Sequence, residues 1–382
     1  MTSRERVRRT LNHQPVDRMP IDLGGHESTG ISAFAYRNLR EHLGLPVDPI
    51  RVHDTVQMLA YVQTDILERF HGDCIALEPM WARSRQWKPR DPYVFTIPEE
   101  MEPVRAPDGG WTVAYRGRSM RMPAGGFFFD GDWINSWNDW DEERVFGLYR
   151  REAERLYHET EYAMNYVGYS YGGGFNGSFG AGDLDRAVAA FDDPDGVLAA
   201  NRAACKESIR RFRLFNRLVG PFVQLLTIGE DMGSQSGPLC SPGYIEKFCM
   251  PFTREFCRVV HEESDIKVYM HNCGAIRSLI PLIIDAGVDA LNPVQISARD
   301  MDPRALKKEF GERIVFWGGG CNTQEVLGVG TPAEVAANVR ELAGIFKPGG
   351  GFVFSQVHNI MGNVPPENVV AMLDAAYEVS GY

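Results

Sequence analysis

Ile266-Lys-Val-Tyr-Met-His271, Ile276-Arg-Ser-Leu-Ile-Pro-Leu-Ile-Ile-Asp285 and Val288-Asp-Ala-Leu-Asn-Pro-Val294 follow one another closely in the chain. The outer two are mostly apolar runs of strand length. The middle one has helical spacing and is closed by Gly287, the residue type that ends helices in a left-handed conformation. Strand, short helix and strand in that order form a βαβ unit, which implies parallel strands.

The same alternation extends both ways from this unit. Upstream, Pro221–Ile228 is an apolar run. Ser241-Pro242 then supplies a helix cap and a first-turn proline. Ile245, Phe248, Cys249, Phe252, Phe256, Val259 and Val260 follow at helical spacing. Downstream, Asp302-Pro303 opens a helix that stops at Gly311, and Arg313–Gly318 is a strand. Thr331-Pro332-Ala-Glu334 is a capping box opening a helix to about Phe346. Phe352–Val357 is a strand, and Pro365–Val379 a last helix. Five such strands, apolar on both faces, predict a parallel sheet covered by helices. No G-x-G-x-x-G follows a strand, so a closed (β/α)₈ TIM barrel is favoured over an open doubly wound sheet.

The N-terminal half reads as mixed. Ser3–Leu11 is a short basic helix within an extension over about 1–18. Met19–Leu23 and Cys74–Leu77 are short strands, and Ile31–Leu43, Thr55–Phe70 and Asp141–Tyr162 carry helical patterns. A small β-meander insertion is expected over about 93–130, with Trp111–Tyr115 and Ser119–Met122 as strands. Gly168–Gly182 is a loop dense in glycine and aromatic residues. The whole chain, 1–382, is read as one domain.

Hydrophobic residues make up 44% of the 382 and charged residues 24%, which excludes a disordered chain. No apolar run reaches the ~20 residues of a membrane helix, and no apolar leader follows the charged start. The net charge of −11 disfavours nucleic acid as a partner. Seven cysteines, an odd number in a long chain, point to reduced thiols and a cytoplasmic setting.

Polar residues gather where the strands end. Glu230 and Asp231 follow the first clear strand, and His271 and Cys273 end the second. Asn292 and Gln295 close the third, Cys321 and Asn322 follow the fourth, and His358 and Asn359 follow the fifth. Carboxyl ends of parallel strands are where barrels carry active sites. In extended backbone, residues two apart point to one side, so His271 and Cys273 can bind one ion. Zinc takes such nitrogen and sulfur donors, and Cys321 is the natural third ligand. The competing reading is a satisfied histidine beside a buried thiol. His26, in Gly24-Gly25-His26-Glu27, is either a loop hydrogen-bonder or a residue lining the barrel mouth. The other histidines, among them His53, read as solvated, and Cys205, Cys249 and Cys257 as helix packing.

Taken together, several motifs resemble the uroporphyrinogen decarboxylase superfamily, and more closely its methyltransferase branch. They are Gly229-Glu-Asp-Met-Gly-Ser-Gln-Ser-Gly-Pro-Leu-Cys-Ser-Pro242, His271-Asn-Cys-Gly274, Gly318-Gly-Gly-Cys321 and Gly349-Gly-Gly-Phe-Val-Phe-Ser355. His358-Asn359 with Val364-Pro-Pro-Glu-Asn368, and the opening Arg6–Pro20, complete the set. The resemblance implies a distorted (β/α)₈ barrel. Its decarboxylases bind an octa-anionic tetrapyrrole through an arginine-bearing element after the first strand. Here that place reads Asp22-Leu-Gly-Gly-His-Glu27, without arginine. Its methyltransferases hold zinc through H-x-C, a later carboxylate and a distant cysteine. His271, Cys273 and Cys321 match, while Gln295 stands where the carboxylate is expected; this implies a more electrophilic zinc held by three ligands, a metal site that has decayed, or a fourth ligand elsewhere, His358 or Glu230.

The expected function is zinc-dependent transfer of a methyl group between a corrinoid protein and a small thiol, folate, methoxy or methylamine compound. Glu230, Asp231 and His358 are the candidate catalytic residues. Asn292, Gln295, Asn322 and His26 are the candidate substrate contacts, and 168–182 is a candidate cover for the corrinoid. The alternatives are a decarboxylase of a tetrapyrrole and a tetrapyrrole- or corrinoid-binding protein without catalysis.

Overall fold

The computed structural model describes residues 1–79, 81, 83–168 and 174–382. Seven parallel strands lie side by side in chain order: β1 (Cys74–Ala76), β2 (Ala163–Tyr166), β3 (Leu225–Gly229), β4 (Lys267–His271), β5 (Ala290–Asn292), β6 (Val315–Trp317) and β7 (Phe352–Val353). Pro20–Asp22 closes the ring as a residual eighth strand. The Asp22 amide donates to Phe354 O at 2.8 Å, and the Phe354 amide to Pro20 O at 2.9 Å. On the other side the Asp73 amide donates to Ile21 O at 2.7 Å. The result is a distorted (β/α)₈ barrel.

Inside the ring, Cys74, Ala163, Leu225, Tyr269, Ala290, Val315, Trp317 and Val353 pack together with Val7 and Leu11. Those last two come from α1 (Ser3–Leu11), whose first turn is capped by Thr2 Oγ1 accepting from the Glu5 amide at 3.1 Å. The N-terminal helix is therefore a plug for one end of the barrel. Burying two such side chains contributes about 1.5–3 kcal/mol each. The opposite end, where the strands run out, is left to polar residues. Outside the ring, helices such as Pro194–Leu218, Met250–Glu263 and Pro332–Phe346 bury their apolar faces against the strands.

The capping box at Thr331 and Glu334 forms as read, and Gly287 sits at φ +90° after the helix Ile280–Asp285. One N-terminal expectation fails. Thr55–Phe70 is not one helix: the strand Ile50–Asp54 turns into Leu59–Ala60, and only Thr64–Arg69 is helical. The Asp54 carboxylate accepts from the Val56 and Gln57 amides at 2.9 and 2.7 Å, and Asn135 Oδ1 accepts from the Thr55 amide at 2.9 Å. These contacts override the helical spacing. The expected meander forms, with Trp111–Tyr115 and Arg118–Met122 as antiparallel neighbours, and a second sheet stands beside it in the chain. Ser84–Arg90 pairs antiparallel with Tyr93–Pro98, which joins Ile50–Asp54 in parallel. Val104–Arg105, Trp111–Tyr115, Arg118–Met122 and Asp130–Gly131 form a separate antiparallel sheet.

Candidate active site

The registers Gly229↔His271 and His271↔Asn292 bring the ends of β3, β4 and β5 level. Past β4 the chain turns sharply. Gly274 has φ +93°, and a Cβ there would stand 2.3 Å from the Gly233 carbonyl carbon. Only glycine fits such a turn. The turn's amides are held by side chains: Cys273 N–H donates to Asp231 Oδ1 at 3.0 Å, and Gly274 N–H to Gln295 Oε1 at 2.8 Å.

His271 Nε2 and Cys273 Sγ stand 3.5 Å apart, so the same-side expectation holds. One ligand atom from each, and one from His358, lie within 4.8 Å of one another. The His271 tautomer follows from its partners. Asn292 Nδ2 donates to Trp317 O at 2.9 Å, which turns Asn292 Oδ1 toward His271 Nδ1 at 2.7 Å. Oδ1 can only accept, so Nδ1 carries the proton and Nε2 presents a lone pair to Cys273. Ser28 Oγ also donates to Asn292 Oδ1, at 2.5 Å. His358 Nδ1 is paired to Asn359 Oδ1 at 2.6 Å, and burial with His271 alongside holds its pKa down to about 4. Its ring is thus neutral at pH 7. Burial, then Asp231, pushes the free Cys273 thiol well above the usual range. A cation would have to lower it.

The predicted site residues separate into groups. His271, Cys273 and His358 come together. Cys321 does not join them: its residue is 0% exposed within the apolar core, and burial pushes its thiol up to about 12. Its position after three glycines was legible, its burial in the apolar core was not. Asp231 Oδ1 lies 3.7 Å from His271 Nε2. Glu230 Oε2 accepts from Ser178 Oγ at 2.9 Å. Asn292 and Gln295 orient the β4 end. Asn322 instead caps the turn Thr323–Leu327, its Oδ1 accepting from the Gln324 and Glu325 amides at 3.0 and 3.1 Å. His26 caps the short turn Glu27–Thr29 through Nδ1, and its ring stacks on His271 with centroids 5.4 Å apart. It is both loop hydrogen-bonder and wall.

His26, Glu230, Asp231, His271 and His358 line one cavity of about 700 Å³, within the usual range for a small ligand. Its other lining residues include Glu27, Asp54, Arg118 and Trp133. Glu27, Asp54 and Arg118 were not legible as cavity residues, because nothing local marks the turn after the first strand or the insertion strands as facing the barrel mouth. Reading by sequence also mistook His53, which is 3% exposed in the strand Ile50–Asp54 and not solvated. Of the aromatic loop, 169–173 lies outside the described residues. Gly174, Asn176, Ser178 and Gly180 line a neighbouring cavity that shares Glu230.

Comparison with known proteins followed the same lines. Residues 216–379 match the family model described as uroporphyrinogen decarboxylase (URO-D). A uroporphyrinogen decarboxylase of Psychromonas ingrahamii is 32% identical over 98 residues, 26% of this chain and 26% of that protein's length. Among solved structures, a methyltransferase from Methanosarcina mazei superposes with a TM-score of 0.55 at 15% identity, covering 99% of each chain. Over residues 216–379 the protein thus matches the uroporphyrinogen decarboxylase family, and the barrel that carries this match is shared along the whole chain with the Methanosarcina methyltransferase.

Proposed function

We propose that the protein is a zinc-dependent methyltransferase, passing a methyl group between a corrinoid carried on a partner protein and a small donor or acceptor. The observation that carries this reading is the His271, Cys273, His358 group, of which His271 and His358 line the cavity at the strand ends. The donor set fits zinc: two imidazole nitrogens and one sulfur, three protein ligands with a position left for substrate. Bound there, zinc supplies Lewis acidity, which lowers the pKa of a thiol or polarises a methoxy oxygen.

The chain's own residues supply the rest. Asn292 fixes the His271 ring and its proton. Asp231 holds the Cys273 turn and stands beside His271. Glu230, anchored by Ser178, faces both cavities and is placed to hold a substrate or move a proton. Seven cysteines without a disulfide support a reducing, cytoplasmic setting.

Two measurements test the proposal. Zinc-loaded protein is expected to hold an ion at the His271 group and to change the absorbance of methylcobalamin as methyl groups leave or arrive. Absence of both metal and absorbance change would sink it. Asn292→Ala frees the His271 ring, and zinc affinity is expected to fall about 10–100-fold. Unchanged affinity would show that the ring needs no such partner.

The decarboxylase alternative makes an opposite demand. Glu230 and Asp231 line the cavity against Arg118, and this acidic pair disfavours a polyanionic tetrapyrrole. Uroporphyrinogen incubated with the protein is expected to remain unconverted. Stoichiometric formation of coproporphyrinogen, followed chromatographically, would reverse the ranking.

A further inference from the structure

Glu27, His53 and Glu78 form a second cluster. One ligand atom from each lies within 4.8 Å of the other two, and all three residues are buried. They come from separate parts of the chain: the turn Glu27–Thr29, the strand Ile50–Asp54, and the segment two residues beyond β1. Glu27 is 5% exposed, and neither of its carboxylate oxygens has a hydrogen-bond partner among the described residues. His26 Nε2 stands 3.7 Å from its Oε2.

A buried carboxylate without hydrogen bonds is costly, and a second carboxylate beside it raises the cost. Burial, then Glu78, holds Glu27 well above the usual carboxylate range, and one proton shared with Glu78 would satisfy only one of the two Glu27 oxygens. A cation between the two carboxylates resolves both problems at once. We propose that Glu27, His53 and Glu78 bind a divalent transition-metal ion, at a site separate from the His271 group.

The charge and the chemistry choose the ion class. Two carboxylates neutralise a double positive charge, and the imidazole adds a nitrogen donor without adding charge. Burial, then Arg51, holds His53 down to about 3, so its ring is neutral and adds no charge. Arg51 itself donates to the backbone oxygens of Glu78 and Pro79, both at 2.8 Å. Asp54, next in the strand, is engaged with the Val56 and Gln57 amides. Two oxygens and one nitrogen suit Zn²⁺, Mn²⁺ or Fe²⁺. Donors about 2.1 Å from one ion stand roughly 3.0–3.5 Å apart, so small side-chain rotations close the observed spacing.

Such an ion ties the insertion sheet to the barrel. It also fixes the turn that carries His26 and Ser28, whose hydroxyl bonds Asn292. It shares no ligand with the first metal group.

The test uses the full chain with the first group disabled by Cys273→Ser, stripped with chelator and reloaded with Mn²⁺ or Zn²⁺. One tightly held ion per chain is expected, with a rise in melting temperature on loading. Adding Glu27→Gln to that background should abolish both. Should the Glu27→Gln protein fail to fold, His53→Gln in the same background should weaken binding at least tenfold. No tight ion in the Cys273→Ser background, or an ion retained with unchanged affinity in the double variants, would overturn the proposal. A wild-type failure to methylate or demethylate cobalamin would bear only on the function proposed above.

Discussion

Cys273→Ser is expected to fold, to lose the ion at the His271 group, and to lower methyl transfer to or from cobalamin by more than about 100-fold. Zinc ligands bind deprotonated, and a serine hydroxyl is protonated at neutral pH. The free Cys273 thiol is already held well above its ordinary range by burial and by Asp231, so the ion's pull is what makes it a thiolate. Serine offers no comparable gain. The fold should survive, because residue 273 lies on a turn beyond β4 and contributes nothing to the barrel's packed interior. His271→Ala and His358→Ala should behave alike, since each removes one of three donors. Cobalamin absorbance, metal content and a melting curve measured together check this. A folded Cys273→Ser protein with the wild-type rate would detach the cluster from the chemistry.

Cys321 supplies the contrast. As a buried core thiol, Cys321→Ser should cost about 1–3 kcal/mol for burying a hydroxyl and leave metal content intact. Should Cys321→Ser instead lose the ion while His358→Ala keeps it, the third donor would be the cysteine that the sequence pattern suggests. The two variants therefore decide between the sets by metal analysis alone.

The barrel was legible because its evidence is local. Gly287 ends a helix, Thr331 and Glu334 cap another, and apolar runs such as Ile266–His271 fall at strand spacing; each can be recognised within a dozen residues. The same-side geometry of His271 and Cys273 was legible for that reason too. What was hidden depends on long-range placement. His53 reads as a solvated histidine until Glu27 and Glu78 are brought beside it from elements far along the chain. Thr55–Phe70 reads as a helix until Asn135 and Asp54 claim its amides. Cys321 and His358 both follow strands, and only the packing of the closed barrel separates a core thiol from a half-buried cavity residue. Strand-end identity is a sequence property, whereas strand-end burial is a property of the closed barrel.

Asp73→Ala is expected to be the most destabilising single change outside the apolar core, about 3–5 kcal/mol. Asp73 is fully buried and its carboxylate gathers donors from three places. Arg6 Nη1 reaches Oδ1 at 2.6 Å, Arg18 Nη1 reaches Oδ2 at 2.7 Å, and the Ile21 amide donates to Oδ2 at 2.8 Å. The Asp73 amide returns a bond to Ile21 O. One side chain thus anchors the plug helix α1, the residual eighth strand and the start of β1, the three pieces that close the barrel. Removing it strands a buried guanidinium and a backbone amide without their acceptor. Arg6 keeps Asp17, at 2.7 Å, but Asp17 is half-exposed and its grip is correspondingly weaker. Asp73→Asn keeps the shape and removes the charge, so its cost should fall between Asp73→Ala and none. Urea unfolding measures the order: the midpoint should drop most for alanine, less for asparagine, with the slope unchanged. An Asp73→Ala midpoint equal to wild type would mean that the ring holds closed by strand pairing and apolar packing alone, with the buried ion pairs contributing only to which segment closes it.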